Sequence, residues 1–511
     1  MKKLLLLVVL VLAFSATAYS QDVKLDFRAS GYIDFRTELY RWNWTTNLSQ
    51  SNRGNILQVV NNENRPGGGE WNKTSAYVES RMRLKFDAIM GKELSGTIFF
   101  EADSSYFGDN PGNMGLQAPA RNSFGVWGTD NASLEIKNIY FDVAIPYMPV
   151  PMTMRFGAQP FGIRSNMFFY SDGAGVTLAA KIDPVQITAY WAKLIEGKQA
   201  NGDDAEMYAL SIAAKIDTFT IGGYGFYFDM RTYPIFANFT APNTIAPYGS
   251  TVNSVASKMY WLGVYADGRL GPVNLNFDAI YDNGWVKKQI ADAKVNYAGW
   301  ASRLKIDYPW EAFNFGFVAA YGSGGDSSKM SVDGMPAKAV ANPGAAPAQS
   351  SKVGSYVVPV NSETGSFNEG EVLTASYMNT GFTGFNYAGS GSAMCRGSMG
   401  GLWLAKLYAA YKVTPDFKMT LQGLYYGDTT KNGNTFGTAR EADGLTLKNS
   451  SNIGFELDLV NEWQIYKNLN FRFGGGVLWA GSALSMWNAV SQTNEKPSTP
   501  WIIVTNLTYS F

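Results

Sequence analysis

Charged side chains at every second position are the residues of this sequence with the most chemistry to offer. Arg28, Asp34 and Arg36 form one such series, Glu79, Arg81, Arg83, Lys85 and Asp87 a second, and Glu101 and Asp103 a third. Arg155 stands in a fourth stretch, and Glu456, Asp458 and Glu462 form an acidic series near the C-terminus. The residues between them are largely apolar, and alternation with period 2 marks a strand whose two faces meet different surroundings. Four or five charges on one face exclude a dry core on that side, because ions left without water or partners are costly. A wall of such groups sets up a local field that orients and selects small polar solutes. The same ladders would also hold neighbouring strands together by cross-strand pairing. One charge can do both, so the two roles stay open together.

Other chemistries are excluded by what the chain lacks. Histidine is absent, which removes Ser-His-Asp and Cys-His catalysis, His-ligated metals and His-ligated haem. The single cysteine, Cys395, lies in a Gly/Ser-rich stretch and makes neither an internal disulfide nor a Cys-rich metal site. Asp203, Asp204 and Glu206 are oxygen donors of the kind that hold divalent cations, though solvated loop acids are the plainer reading. The run Gly322 to Lys329 lacks the Gly-Lys-Ser/Thr order of a phosphate loop. Forty-two basic residues balance 42 acidic ones, whereas a nucleic-acid binder is expected to show a basic excess. The sequence therefore predicts no cofactor, no metal and no enzyme.

The elements that must carry the charges are strands. In the last eleven residues Trp501, Ile503, Thr505, Leu507, Tyr509 and Phe511 share one face, and Asn506, Thr508 and Ser510 the other. Trp501 and Tyr509 are eight steps apart, roughly 27 Å along a strand. A tilt of roughly 40° brings this to about 20 Å of height, near that of the apolar band between the aromatic girdles of a transmembrane barrel. The spacing recurs in Trp300 with Tyr308 and in Trp403 with Tyr411, each enclosing alternate apolar residues. Tyr281, Tyr321 and Tyr425 close the apolar series of strands running the other way. They are expected in the external ring, and Tyr308, Tyr411 and Tyr509 in the periplasmic one. The chain has 29 Tyr and 14 Trp, as girdles require. Beyond the N-terminus no apolar run is long enough for a transmembrane helix.

On these residues the chain resembles the Gram-negative outer-membrane porins, whose last strand ends in Phe after an alternating run. The resemblance implies that Phe511 is read by the barrel-assembly machinery. Gly454, Glu456 and Asp458, followed by Tyr466, Asn468, Leu469 and the Gly474–Gly476 run, are similar to strand pairs of alginate-export-like porins. The expected fold is all-β, a transmembrane antiparallel up-and-down barrel of about eighteen strands, sixteen being possible. Met1-Lys-Lys and the apolar Leu4–Phe14 read as a signal peptide over residues 1–20, cleaved after Ala18 or Ser20. Residues 21–511 then form one barrel domain, and the first strand follows too soon to leave room for a plug domain.

Connections alternate short and long, the long ones falling near 108–130, 160–172, 194–204, 230–255, 284–296, 322–399, 428–450 and 482–499. The longest, 322–399, is the rival candidate for a constriction, with an exposed external loop the preferred reading. Around Lys137 the polar positions switch from odd to even, which fits either a β-bulge near Lys137 or a misplaced strand boundary. In general porins the loop after the fifth strand narrows the pore, so the resemblance implies a constriction at Arg164 and Asp172. Barrel closure would set Glu456, Asp458 and Glu462 a few strands from the basic first two, giving a transverse field. The expected function is passive diffusion of small hydrophilic solutes through a water-filled charged lumen in the bacterial outer membrane. The rival is a barrel sheath around a multihaem cytochrome in an electron conduit. Expected partners are outer-membrane lipid and lipopolysaccharide, the assembly machinery and the solutes; trimers are common among porins, and a homotrimer and a monomer both stay open.

Overall fold

The computed structural model describes residues 24–41, 74–107, 134–165, 167–197, 201–234, 251–252, 255–288, 293–326, 352–359, 369–374, 394–395, 399–433, 439–444, 446, 448–488, 491–496 and 499–511. The expected leader, residues 1–20, lies outside them.

Eighteen strands form the wall: β1 (Leu25–Arg41), β2 (Ser75–Met90), β3 (Leu94–Tyr106), β4 (Glu135–Ala144), β5 (Met152–Ile163), β6 (Phe169–Ile182), β7 (Val185–Ile195), β8 (Ala205–Ile216), β9 (Phe219–Met230), β10 (Val255–Leu270), β11 (Val273–Lys288), β12 (Ala293–Trp310), β13 (Phe313–Gly322), β14 (Leu402–Thr414), β15 (Phe417–Asp428), β16 (Asn452–Tyr466), β17 (Leu469–Ala480) and β18 (Trp501–Ser510). Each pairs antiparallel with its sequence neighbour, and β1 pairs with β18 from Tyr32 opposite Ser510 to Arg41 opposite Trp501. The sheet is thereby closed. A closed barrel satisfies every strand edge internally, which is what a backbone surrounded by hydrocarbon requires.

The two faces separate as the alternation predicts. Phe27, Phe86, Leu262, Leu407, Leu421 and Ile503 are exposed on the outside. The aromatic girdle is continuous over the second half of the wall. Tyr281 lies opposite Trp300, Tyr321 opposite Trp403, and Tyr425 opposite Phe455. The rings of Trp300 and Tyr321 stack at 4.6 Å, and those of Trp403 and Tyr425 approach to 5.6 Å. At the opposite rim Phe313 stacks on Tyr411 at 4.7 Å, and the Tyr509 and Phe511 rings are 5.8 Å apart. Such pairs add about 0.5–1.5 kcal/mol each beyond the area they bury. Phe511 extends the β1–β18 seam by one residue, its N–H donating to the Gly31 carbonyl and its carbonyl accepting from the Gly31 N–H. Trp501 and Tyr308 also stand on the outer face, one at each rim.

Two sequence expectations meet the structure at β4 and β5. Asn138 pairs with Phe99 and Ile136 with Phe100, so Lys137 is the extra residue of a bulge. The phase break marked its position. The connection after β5 is much shorter than 160–172, because the strands continue to Ile163 and resume at Phe169. Asp172 therefore belongs to β6, opposite Pro160.

The interior is not water throughout. The inner faces of β9 and β10 carry Tyr224, Phe226, Phe228, Met259 and Trp261, all buried. The tip between β5 and β6 folds onto them, with the Phe168 ring 5.2 Å from Phe226 and 5.8 Å from Trp261.

Candidate pore and its charged lining

The register of β1 on β2 sets Asp34 opposite Arg81, Arg36 opposite Glu79 and Arg28 opposite Asp87. Opposite charges thus face one another along the inner wall. Ion pairs join Arg36 to Glu79 at 3.2 Å, Lys85 to Asp87 at 2.9 Å and Arg155 to Asp142 at 2.8 Å. Arg28 pairs with Asp26 at 2.9 Å at the periplasmic rim. Asp34 accepts from the Thr508 hydroxyl across the seam at 3.0 Å. Glu101 gathers three cations: Arg83 at 2.8 Å, Arg81 at 3.5 Å and Lys137 at 2.9 Å. Lys137 joins this cluster because the bulge turns it inward. Asp103 lies in β3, and its side chain is outside the described residues.

Within these pairs the cation is usually the outer member. The Arg36 side chain is 39% exposed, against 5% and 13% for Glu38 and Glu79. Arg81 is 34% exposed above Glu101 at 8%, and Lys85 35% above Asp87 at 18%. Long Arg and Lys stems carry the charge past the shorter carboxylates and into water. Along β1–β3 the more exposed charges are therefore guanidinium and ammonium groups over more deeply buried carboxylates. Arg155 and Asp142 are equally exposed, and Lys137 and Arg164 lie deeper than their partners Asp172 and Asp267, so the pattern belongs to β1–β3.

Arg164 and Asp172 do not come together. Arg164, at φ +46° on the β5–β6 tip, reaches across the interior to Asp267 and Asp278 of β10 and β11. It donates to Asp278 at 2.5 and 2.7 Å and to Asp267 at 2.5 and 3.1 Å. Its guanidinium also lies over the Tyr265 ring at 4.4 Å. Asp172 stays on the wall, bound by Lys137 at 2.7 Å and by the Asn138 amide at 2.8 Å. The tip does fold inward, but it carries Arg164 alone.

Of the segment whose preferred reading is an exposed loop, 322–399, the described residues 352–358 and 369–374 lie inside the barrel. Residues 352–358 lie against the inner faces of β10–β12, with Ser355, Tyr356, Val357 and Val358 buried. Lys352–Val353 pairs in parallel with β12. The Trp261 indole donates to the Val357 carbonyl at 2.8 Å, and the buried Asp282 carboxylate accepts from the Gly299 and Val357 N–H groups. A Cβ on Gly299 would come within 2.6 Å of the Ser355 and Tyr356 backbone, so the strand is bare where the loop lies closest.

Residues 369–374 dock on β12 and β14–β17. Glu456 accepts the N–H groups of Val372 at 2.7 Å and Leu373 at 2.9 Å, and Asp458 that of Glu371 at 3.1 Å. A Cβ on Gly476 would meet Asp458 at 1.8 Å, which accounts for part of the glycine run. Glu456 and Asp458 are thus covered by loop backbone, and Glu462 pairs with Lys418. The three acids expected to give a transverse field therefore do not share one exposed face: Glu456 and Asp458 lie under the loop, and only Glu462 reaches the surface.

Four residues of this arrangement escaped the sequence reading as site residues: Arg303, Lys406, Glu369 and Asp282. The Glu369 carboxylate receives Arg303 at 2.5 and 3.1 Å on one oxygen and Lys406 at 3.2 Å on the other. Below it, at the periplasmic end, lies a cavity of about 610 Å³ lined by Lys305, Asp307, Lys406, Lys412, Lys418 and Glu369 among others. Alternation puts Arg303 and Lys406 on inner faces; only the loop's return to them was hidden.

The sequence pattern of the family described as alginate export matches residues 68–496. No curated protein matches the chain. Among solved structures, OccK5 (OpdH) of Pseudomonas aeruginosa is similar at TM-score 0.47 and 9% identity, with 94% of this chain and 98% of that one covered. OpdK of the same organism, solved with vanillate, gives 0.48 and 8%, covering 94% and 98%. OmpT, an outer membrane protein of Vibrio cholerae in a trimer form, gives 0.36 and 10%, covering 95% and 99%. A closed eighteen-stranded wall, apolar toward lipid and charged within, carries that family pattern over most of its length: the chain belongs to the alginate export family and is a porin-type β-barrel of the bacterial outer membrane.

Proposed function

We propose that the protein is a passive diffusion channel for small hydrophilic solutes, with a preference for anions, and that it is not an enzyme. The observation that carries this reading is the layering of the β1–β3 wall, where Arg36, Arg81 and Lys85 stand in water and their carboxylate partners lie beneath. Solute charge is then screened by fixed cations at close quarters, and selectivity follows the sign of the exposed layer. The alginate of the family's description is an anionic polysaccharide, which agrees in sign. A sheath around a haem protein fits less well, because the interior already holds residues 352–358, 369–374 and the β5–β6 tip. In this reading the partners are lipid, lipopolysaccharide, the assembly machinery and the solutes.

The test is single-channel recording in planar bilayers under a KCl gradient. The wild-type reversal potential should report anion preference, and Arg81→Ala with Arg83→Ala should move it toward cations. An unchanged reversal potential in that double variant would remove these arginines from the filter.

A further inference from the structure

We infer that Arg303 and Lys406 form a carboxylate-binding site of the lumen, filled in this state by the chain's own Glu369, and that a small organic acid takes the site by displacing that loop residue. The inference rests on the channel reading above. Arg303 and Lys406 are each under a tenth exposed, two strands apart on β12 and β14. Their donors converge on both oxygens of one carboxylate, and Lys406 also donates to the Glu369 backbone carbonyl at 2.8 Å. Asn276 accepts from the remaining side of the Arg303 guanidinium at 2.6 Å, and Gln422 donates to the Glu369 carbonyl at 3.3 Å.

Two desolvated cations this close together cannot be left without an anion, since breaking a buried pair by removing one partner strands the other charge. The loop can leave only if another carboxylate arrives or water floods the site. The geometry supplies a route for arrival. The 610 Å³ cavity opens beneath Glu369 and contains Lys305, Lys412 and Lys418 as well as Lys406. Its size falls within the range of small-molecule sites. Asp307 there is already engaged by the Tyr408 hydroxyl and by Lys305, and Lys418 by Glu462. The chemistry that fits is a planar monocarboxylate on a compact polar body, such as a sugar acid, with its carboxylate replacing that of Glu369.

The experiment uses D-glucuronate as probe and D-glucose as its neutral counterpart, added from the periplasmic side to single channels carrying chloride current. A tethered carboxylate acts as a competitor at millimolar effective concentration, so Glu369→Gln should lower the half-blocking concentration of glucuronate by about tenfold. Glucose should block neither form, and adding Lys406→Met to E369Q should abolish the gain. E369D, with its carboxylate drawn back by one methylene, should fall between and serves if E369Q does not fold. Equal half-blocking concentrations in wild type and E369Q, or a gain that survives Lys406→Met, would overturn the proposal. Inorganic phosphate competing as well as glucuronate would overturn its carboxylate specificity. Calorimetric titration of glucuronate into the detergent-solubilised proteins reads the same contrast without current. A barrel that binds as described but never conducts would sink the channel reading and leave the site standing.

Discussion

Replacing Glu456 by leucine should free the segment 369–374 without weakening the wall it leans on. The Glu456 carboxylate accepts from Val372 at 2.7 Å and Leu373 at 2.9 Å. Hydrogen bonds to a charged acceptor contribute about 1.5–3 kcal/mol each, so the pair holds the segment by about 3–6 kcal/mol. At 1.4 kcal/mol per factor of ten, the undocked population should rise between about a hundredfold and about ten-thousandfold. Asp458 still accepts the Glu371 N–H, and Glu369 still binds Arg303 and Lys406, which favours the lower end. The wall should respond differently. Among the described residues, only the 3.3 Å bond from the Tyr426 hydroxyl ties the Glu456 carboxylate to a neighbouring strand, so the melting temperature of the barrel should change little. Hydrogen exchange read by mass spectrometry separates the two effects. Amides of 369–374 should lose protection by that factor while those of Asn452–Tyr466 keep theirs. Glu456→Gln retains one acceptor oxygen and should lose about half as much free energy. Unchanged protection in Glu456→Leu, or loop and wall losing protection together, would refute the assignment of these carboxylates as the anchor.

Arg164→Met would leave Asp267 and Asp278 without their shared guanidinium. Asp278 is almost fully buried while Asp267 reaches water, so the loss should be near 3 kcal/mol, the lower end for broken buried pairs. A lowered melting temperature with increased channel noise from a loosened β5–β6 tip is the expected result. Gly299→Val should push residues 355–356 off the inner wall, because even the first carbon of the new side chain overlaps their backbone. Conductance in planar bilayers should increase, and an unchanged conductance would mean that this stretch does not obstruct the path.

The wall was legible because lipid and water impose a strict period on it. Trp300 to Tyr308 and Trp501 to Tyr509 could be read as strands from their spacing alone, and the phase break near Lys137 pointed to the neighbourhood of the bulge. The interior was legible only where it is wet. Arg81 and Arg83 announce water by their charge, but Phe226, Phe228 and Trp261 on the inner faces of β9 and β10 demanded a cover that alternation does not name. That cover, Tyr356 to Val358 with Phe168, comes from connections whose partners lie far away in sequence. No short-range period encodes such a contact. Glu456 and Asp458 show the same limit, since alternation sets them on the inner face but does not name the loop amides that cover them. Asp172 was misjudged more locally: β5 and β6 run on past Pro160 and Gly173, so a turn of five residues replaced the expected loop.

The joint between the first and last strands has an implication for biogenesis. Arg36, part of the solvent-facing cationic side, and Asp34 beside it sit directly across that joint from Asn506 and Thr508. The conduit's most charged flank is therefore finished only when the two chain ends meet. A barrel sealed two residues out of step would keep its greasy exterior yet lose the Thr508 contact to Asp34. Correct zippering and a competent lining are one event, and a mis-zippered molecule would be recognisable by its altered ion preference before any change in its size.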